Sequence, residues 1–453
     1  MACITDTLGN RLTLHEAGSA PAVDDFVMGF ISCEARAVNV LAAAHDSSAI
    51  VQTCCAALHL FAESREAVPN ARPFIARALA NIDEATPREQ RFVQAVAAWA
   101  DGDIRRAIAL HQEQAREFPR DLASLKLGQY HCFNIGDCPG MLRLALAALP
   151  AAADVPYLHG MAAFGYEQCH LMREAEHSAR RAIAMCRKEP WAHHALAHVM
   201  LTEGRLQEGL AFMQGVSDTW TGLNSFMVTH DWWHVALFLI DLGRDTEALE
   251  VYDRHAWGVE KTYSQDQIGA VSLLARFELA GIAVGERWND VADYLMSRLD
   301  DQVLPFLDLQ YLYGLARAGR STEADTLLRH MEAFAPLAPP STRSAWERVC
   351  VPAAHGLLAH ARGDFAGAID HLGLALPRLV EIGGSHAQRD LFEQLYLDAL
   401  VRSGTDAALA TAQGLLQRQL NTQPESLRLR RQAADVYAGL GLRECAPQPR
   451  ARA

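Results

Sequence analysis

Two histidine pairs in the stretch 191–252, His194/His198 and His230/His234, are the residues of this chain best suited to chemistry. A four-residue spacing on a helix puts both side chains of a pair on one face. Neutral imidazoles ligate zinc, iron or copper, so one chemistry for the four together is a divalent transition-metal site. Crowded imidazoles also resist simultaneous protonation. At least one then stays neutral near neutral pH and can act as a general base without metal. The plainer alternative is packing, each ring donating to a core carbonyl. No HExxH or ExxH motif sets a carboxylate beside any of these four histidines. The cofactor is therefore open: none, or a divalent transition metal.

A second candidate is IGGSHAQRD, residues 382–390. Its glycine pair permits a tight entry into a helix, and Ser385 suits the N-cap. Chemically, His386 and Arg389 would hold a substrate anion at that helix N-terminus. Structurally, Arg389 would pair with Asp390 or a carbonyl. Trp191, Trp220, Trp232, Trp233 and Tyr252 crowd the histidines in sequence; most read as core, and Trp233 as a pocket wall. Cys132 and Cys169 lack the local signature of a nucleophile. No GxSxG, Walker A, GxGxxG or EF-hand pattern occurs.

The elements that must position these residues are helices. A glycine followed by a polar residue and an Ala-containing amphipathic run recurs at Gly102, Gly136, Gly204, Gly243, Gly285, Gly319, Gly363, Gly404 and Gly439. Gly102 and Gly136 are 34 residues apart, Gly136 and Gly204 twice that, with His170 at the midpoint. A period of 34 is that of tetratricopeptide helix–turn–helix units. Pro119, Pro156 and Pro190 fall between units, where a helix must stop. No stretch alternates with period two, so no sheet is expected. The fold class expected is all-α, a right-handed superhelix of about ten tetratricopeptide-like helical hairpins.

Register then says which side chains line the inner face. Counting back from each turn glycine places His194, His198 and His230 on that face, with His234 one turn further. The preceding repeats offer Tyr130, Glu167 and Gln168; the following ones offer Ser272 with Arg276, then Phe306 with Gln310. Spacing alone thus points both histidine pairs inward, among polar and aromatic neighbours.

Domain expectations follow the same pattern. Residues 1–70, helical without the motif, read as an N-terminal cap, which an open-ended stack requires. Residues 71–445 read as the superhelix, with a hinge near 336–344 in PLAPPSTRS, and 446–453 as a disordered tail. Half of the 453 residues are hydrophobic and 21% charged, enough for a large core. A formal charge of −13 argues against nucleic acid and anionic membrane surfaces. Neither a signal peptide nor eighteen uninterrupted apolar residues is visible. Ten scattered cysteines without a CxxC pair fit the reduced thiols of a cytoplasmic protein.

FGYEQ at Phe164, WAHHALAHV at Trp191, THDWWHVALFLIDLG at Thr229, YD at Tyr252 and IGGSHAQRDLFEQ at Ile382 resemble the tetratricopeptide repeat protein 38 family. The resemblance covers roughly residues 90–405 and implies a closed-in superhelix, but no reaction. The polar positions it matches are His194, His198, His230, His234, Glu167, Asp308, His386, Gln388, Arg389 and Asp390. Two departures stand out: Asp308-Leu-Gln310 where relatives carry Asp-x-His, and Asp231 where they carry Asn.

Two functions are consistent with these residues, with enzymatic activity and oligomeric state left open. The leading expectation is binding, with turnover a further option, of a small polar ligand in a histidine-lined inner channel. His194, His198, His230, His234 and Glu167 would act on it, and Tyr130, Gln168, Trp233, Arg276, Asp308, Gln310, His386 and Arg389 would bind it. The alternative is a protein–protein interaction scaffold gripping a partner peptide in its concave groove. Extra residues in the longer repeats after Gly204 favour the first.

Overall fold

The computed structural model of the chain describes residues 4–446, so the expected tail beyond Ala446 lies outside the described residues. Among those residues there are helices and no strand, only two isolated antiparallel bridges, Thr5 with Arg11 and Glu34 with Leu223. In chain order the helices are α1 (Ala20–Ser32), α2 (Ala49–Leu60), α3 (Ala67–Ala80), α4 (Pro87–Ala100), α5 (Ile104–Glu117) and α6 (Leu122–Asn134). They continue as α7 (Cys138–Ala152), α8 (Pro156–Gln168), α9 (Met172–Met185), α10 (Pro190–Thr202), α11 (Leu206–Val216) and α12 (Ser225–Asp241). Next come α13 (Asp245–Val251), α14 (Ser264–Leu279), α15 (Arg287–Leu295), α16 (Pro305–Arg317), α17 (Ser321–Phe334) and the one-turn α18 (Arg343–Ala345). The last are α19 (Val351–Ala361), α20 (Phe365–Ala375), α21 (His386–Ser403), α22 (Asp406–Thr422) and α23 (Leu427–Gly439).

Consecutive helices pair as hairpins, and the turn chemistry explains why. At the end of α4, Gly102 adopts φ +75°, and the Asp103 N–H donates back to the Ala98 carbonyl at 2.9 Å. That is the C-terminal closure which a residue in the left-handed region makes possible. The Asp103 carboxylate then accepts from the Arg106 N–H at 3.1 Å, capping α5. One Gly-Asp dipeptide therefore stops one helix and starts the next. Gly136-Asp137 and Gly363-Asp364 repeat the device. At His170 a non-glycine residue takes the position, with φ +58°.

Two expected turn positions are corrected. Gly439 is the last residue of α23, and the left-handed residue is Gly441. In the repeat that contains Gly285, the glycine closing α14 is Gly281, φ +80°, with the Ile282 N–H donating to Phe277 O at 2.8 Å. In both cases the left-handed glycine is the residue just beyond the C-cap, as Gly102 is after Asp101.

Some first helices of hairpins are buried nearly all round, as in α8, where ten residues from Leu158 to Gln168 are buried. The second helix keeps one solvated face. In α9 the buried positions are Ala175, Ser178, Ala179 and Ala182, a single stripe.

By compactness the chain forms two units. The first comprises Met1–Leu196, Thr219–Met227 and Pro339–Arg343, and the second Ala197–Asp218, Val228–Ala338 and Ser344–Ala453. Within the first, α2/α3, α4/α5, α6/α7 and α8/α9 are hairpins, and Ser341 Oγ of the short inserted segment donates to Gly102 O at 3.3 Å. Within the second, α14 packs on α16 and α21, and α19 packs on the same two helices. Its C-terminal core gathers Leu397, Leu400, Leu416, Leu420, Leu429 and Val436. No helix among the described residues is long and apolar enough to cross a membrane.

Candidate functional site

The boundary between the units crosses α10 between Leu196 and Ala197, so His194 falls in the first and His198, one turn later, in the second. In the second unit the two helices carrying histidine pairs bring His198, His230 and His234 together. Each offers a ring nitrogen, and these atoms lie within 4.8 Å of one another. The His198 and His234 ring centroids are 4.6 Å apart, and those of His230 and His234 5.0 Å. All three are buried: His198 and His234 at 0% exposure, His230 at 7%. Burial, with His198 alongside, pushes the His230 imidazole down to about 3 from 6.5.

Two further helices complete the surroundings. At the start of α21, His386 places a ring nitrogen within 4.8 Å of one on His198, the rings at 81° with centroids 5.3 Å apart. The turn before it is built by local chemistry. Gly383 and Gly384 take φ +81° and +76°, and a Cβ on Gly384 would run into the Phe306 ring at 2.7 Å. Ser385 and Gln388 then form a capping box, at 3.2 Å and 2.9 Å. The Arg389 guanidinium closes the turn by donating to the Gly384 carbonyl and to Gly383 O.

Facing Asp390 is Arg276 of α14, with an Nη2–Oδ2 distance of 3.8 Å. Its guanidinium donates to Ser272 Oγ at 2.6 Å and to Ala387 O at 2.7 Å, and lies 5.3 Å over the Trp233 ring. Burial pulls Arg276 down to about 10 while Asp390 works the other way. The group remains a cation at neutral pH. Trp233 also stacks on His230, at 5.2 Å and 9°. Trp233 therefore carries a histidine and an arginine.

The remaining candidates are spread over both units. On α16, Asp308 accepts from Gln302 Nε2 at 3.3 Å, and burial, reinforced by Asp301, raises its carboxyl well above the usual range. Gln310 is 2% exposed on the same helix. In the first unit, Gln168 donates to Glu167 Oε2 at 2.6 Å and Tyr130 donates to Glu63 Oε1 at 2.8 Å. His194 stacks with Trp191 at 4.8 Å and meets Phe164 at 5.0 Å. Burial pushes the Cys132 thiol up to about 12 and raises Cys169, which removes both as thiolates at neutral pH.

Sequence reasoning missed a third histidine pair, His111 of α5 and His131 of α6, with ring centroids 5.6 Å apart in the first unit. His111 Nδ1 pairs with Ser124 Oγ at 2.8 Å, and Trp99 packs on His131. Burial holds His111 down at about 4 and His131 well below its usual value. It also missed Asp241, which accepts from Ser426 Oγ at 2.7 Å and Arg428 Nε at 2.9 Å. Neither group has a helical spacing that would have exposed it.

No known protein-family model matches the chain. Among solved structures, the human IFIT1 dimer with PPP-AAAA is similar over 93% of this chain and 91% of that one, with 14% identity and a TM-score of 0.41. The structure of Naa15/Naa10 bound to HypK-THB is similar over 94% of this chain and 68% of that one, at 13% identity and a TM-score of 0.26. At these scores neither similarity carries an argument about function.

Proposed function

We propose that this helical-repeat protein binds a small polar ligand against the histidine cluster, with the neutral imidazoles available for proton transfer. The tetratricopeptide repeat protein 38 resemblance, which includes these histidines, belongs to the same proposal. One observation carries it. Five residues of one unit, carried on α10, α12, α14 and α21, contribute an imidazole or guanidinium to one neighbourhood: His198, His230, His234, Arg276 and His386. Packing alone would favour aliphatic side chains at such positions, since every buried polar group must be compensated. Register also matched His194 and Glu167, which belong to the first unit.

Native mass spectrometry of the full chain tests this reading. A co-purifying molecule below about 1 kDa is expected, and it should be lost in Arg276→Met and in His386→Gln. His198→Gln should weaken binding tenfold or more, equivalent to about 1.4 kcal/mol, with little loss of melting temperature. Loss of thermal stability in all three variants, with no adduct on the wild type and no melting shift from a metabolite mixture, would return the cluster to packing.

A further inference from the structure

We propose that His198, His230 and His234 form a binding site for a divalent transition metal, with the His386 ring packed against His198 beside it. The inference rests on the reading that the histidine cluster is a ligand site, and it names what occupies the centre. Zinc holds imidazole nitrogens at about 2.0–2.1 Å, which sets neighbouring donors about 3.4 Å apart in a tetrahedron. Three ring nitrogens already within 4.8 Å of one another reach that geometry by small ring rotations. Ring centroids 4.6–5.3 Å apart put the rings in mutual contact, so an organic molecule does not fit between them. Any larger ligand would therefore sit beside the ion.

Trp233 stacks on His230 and fixes its ring, and Arg276 in turn braces Trp233. The arginine charge faces Asp390, so the donor set is not left under an uncompensated cation. The all-imidazole set selects the class of metal. Zinc, cobalt, nickel and copper accept nitrogen donors, whereas magnesium and calcium require oxygens that this trio lacks.

The test uses the full-length protein, stripped with a chelator and titrated with cobalt(II) or zinc(II). Expected are one equivalent of metal retained through gel filtration, the intense visible bands of tetrahedral cobalt(II), and a higher melting temperature in the loaded protein. His198→Gln and His230→Gln should each weaken metal binding at least tenfold, and His386→Gln should alter the cobalt spectrum. His360→Gln should leave binding unchanged, because His360 is engaged by Tyr313 and Asp398. Circular dichroism certifies that each variant is folded, and His230→Gln substitutes if His198→Gln is not. Substoichiometric metal in the folded wild type, or equal affinity in the folded cluster variants, overturns the site. If an organic adduct persists while metal binding fails, the metal proposal falls and the ligand-pocket reading stands.

Discussion

At the scale of single residues, the buried histidines make acid sensitivity the sharpest consequence. His230 titrates near 3 and His111 near 4 in the folded chain, against 6.5 in the unfolded one. Between those values the unfolded state binds more protons. Stability is therefore full above about pH 6.5 and falls as pH drops toward 4 and below. Each such group contributes a slope of up to about 1.4 kcal/mol per pH unit within its window. Urea denaturation of metal-stripped protein at pH 7, 6 and 5 should show this loss, with a shallower slope in His230→Gln. An unchanged slope in that variant would mean that the His230 ring is not held neutral by burial.

The elements are specified by their ends, and two glycines show how differently one residue type serves. Gly102 sits at φ +75°, and a Cβ there would meet Pro339 at 3.0 Å. Gly102→Ala is therefore expected to cost about 1–2 kcal/mol, the penalty of a left-handed L-residue. Gly414 lies inside α22, where an added Cβ would have nothing within 4 Å. Gly414→Ala should instead stabilise by about 0.5–1 kcal/mol, through helix propensity and a less flexible unfolded chain. Thermal denaturation of both variants checks the pair, and shifts of the same sign would contradict this account of the turns. Asp103→Ala, which removes the cap on α5, should cost about 1 kcal/mol in the same assay.

At the scale of the whole molecule, the C-terminal hairpin is tied back to much earlier helices of its unit. Asp241, at the end of α12, accepts from both Ser426 and Arg428, and Gln423 donates to Leu201 O at 2.7 Å. Arg428→Ala strands a buried carboxylate and should cost about 3 kcal/mol. Asp241→Leu combined with Arg428→Met should cost much less, because no charge is then left unpaired. Chemical denaturation of the single and double variants measures the difference. Equal losses would show that the tie contributes packing and not electrostatics.

Sequence by itself determined what covalent geometry and local hydrogen bonds control. The helices, the Gly-Asp turns, the Ser385 cap and the shared face of each histidine pair follow from spacing of four residues or fewer, and all are present. The tertiary structure alone decided which faces meet. It set His386 beside His198, gave Asp390 the guanidinium of Arg276 while Arg389 closed its own turn, and sent Tyr130 to Glu63. It also paired His111 with His131, which no periodicity announces. The physical reason is one of range. A helix fixes its own side chains to one another at every turn, whereas contacts between helices depend on loop lengths and interhelical packing that a single chain's periodicity does not encode.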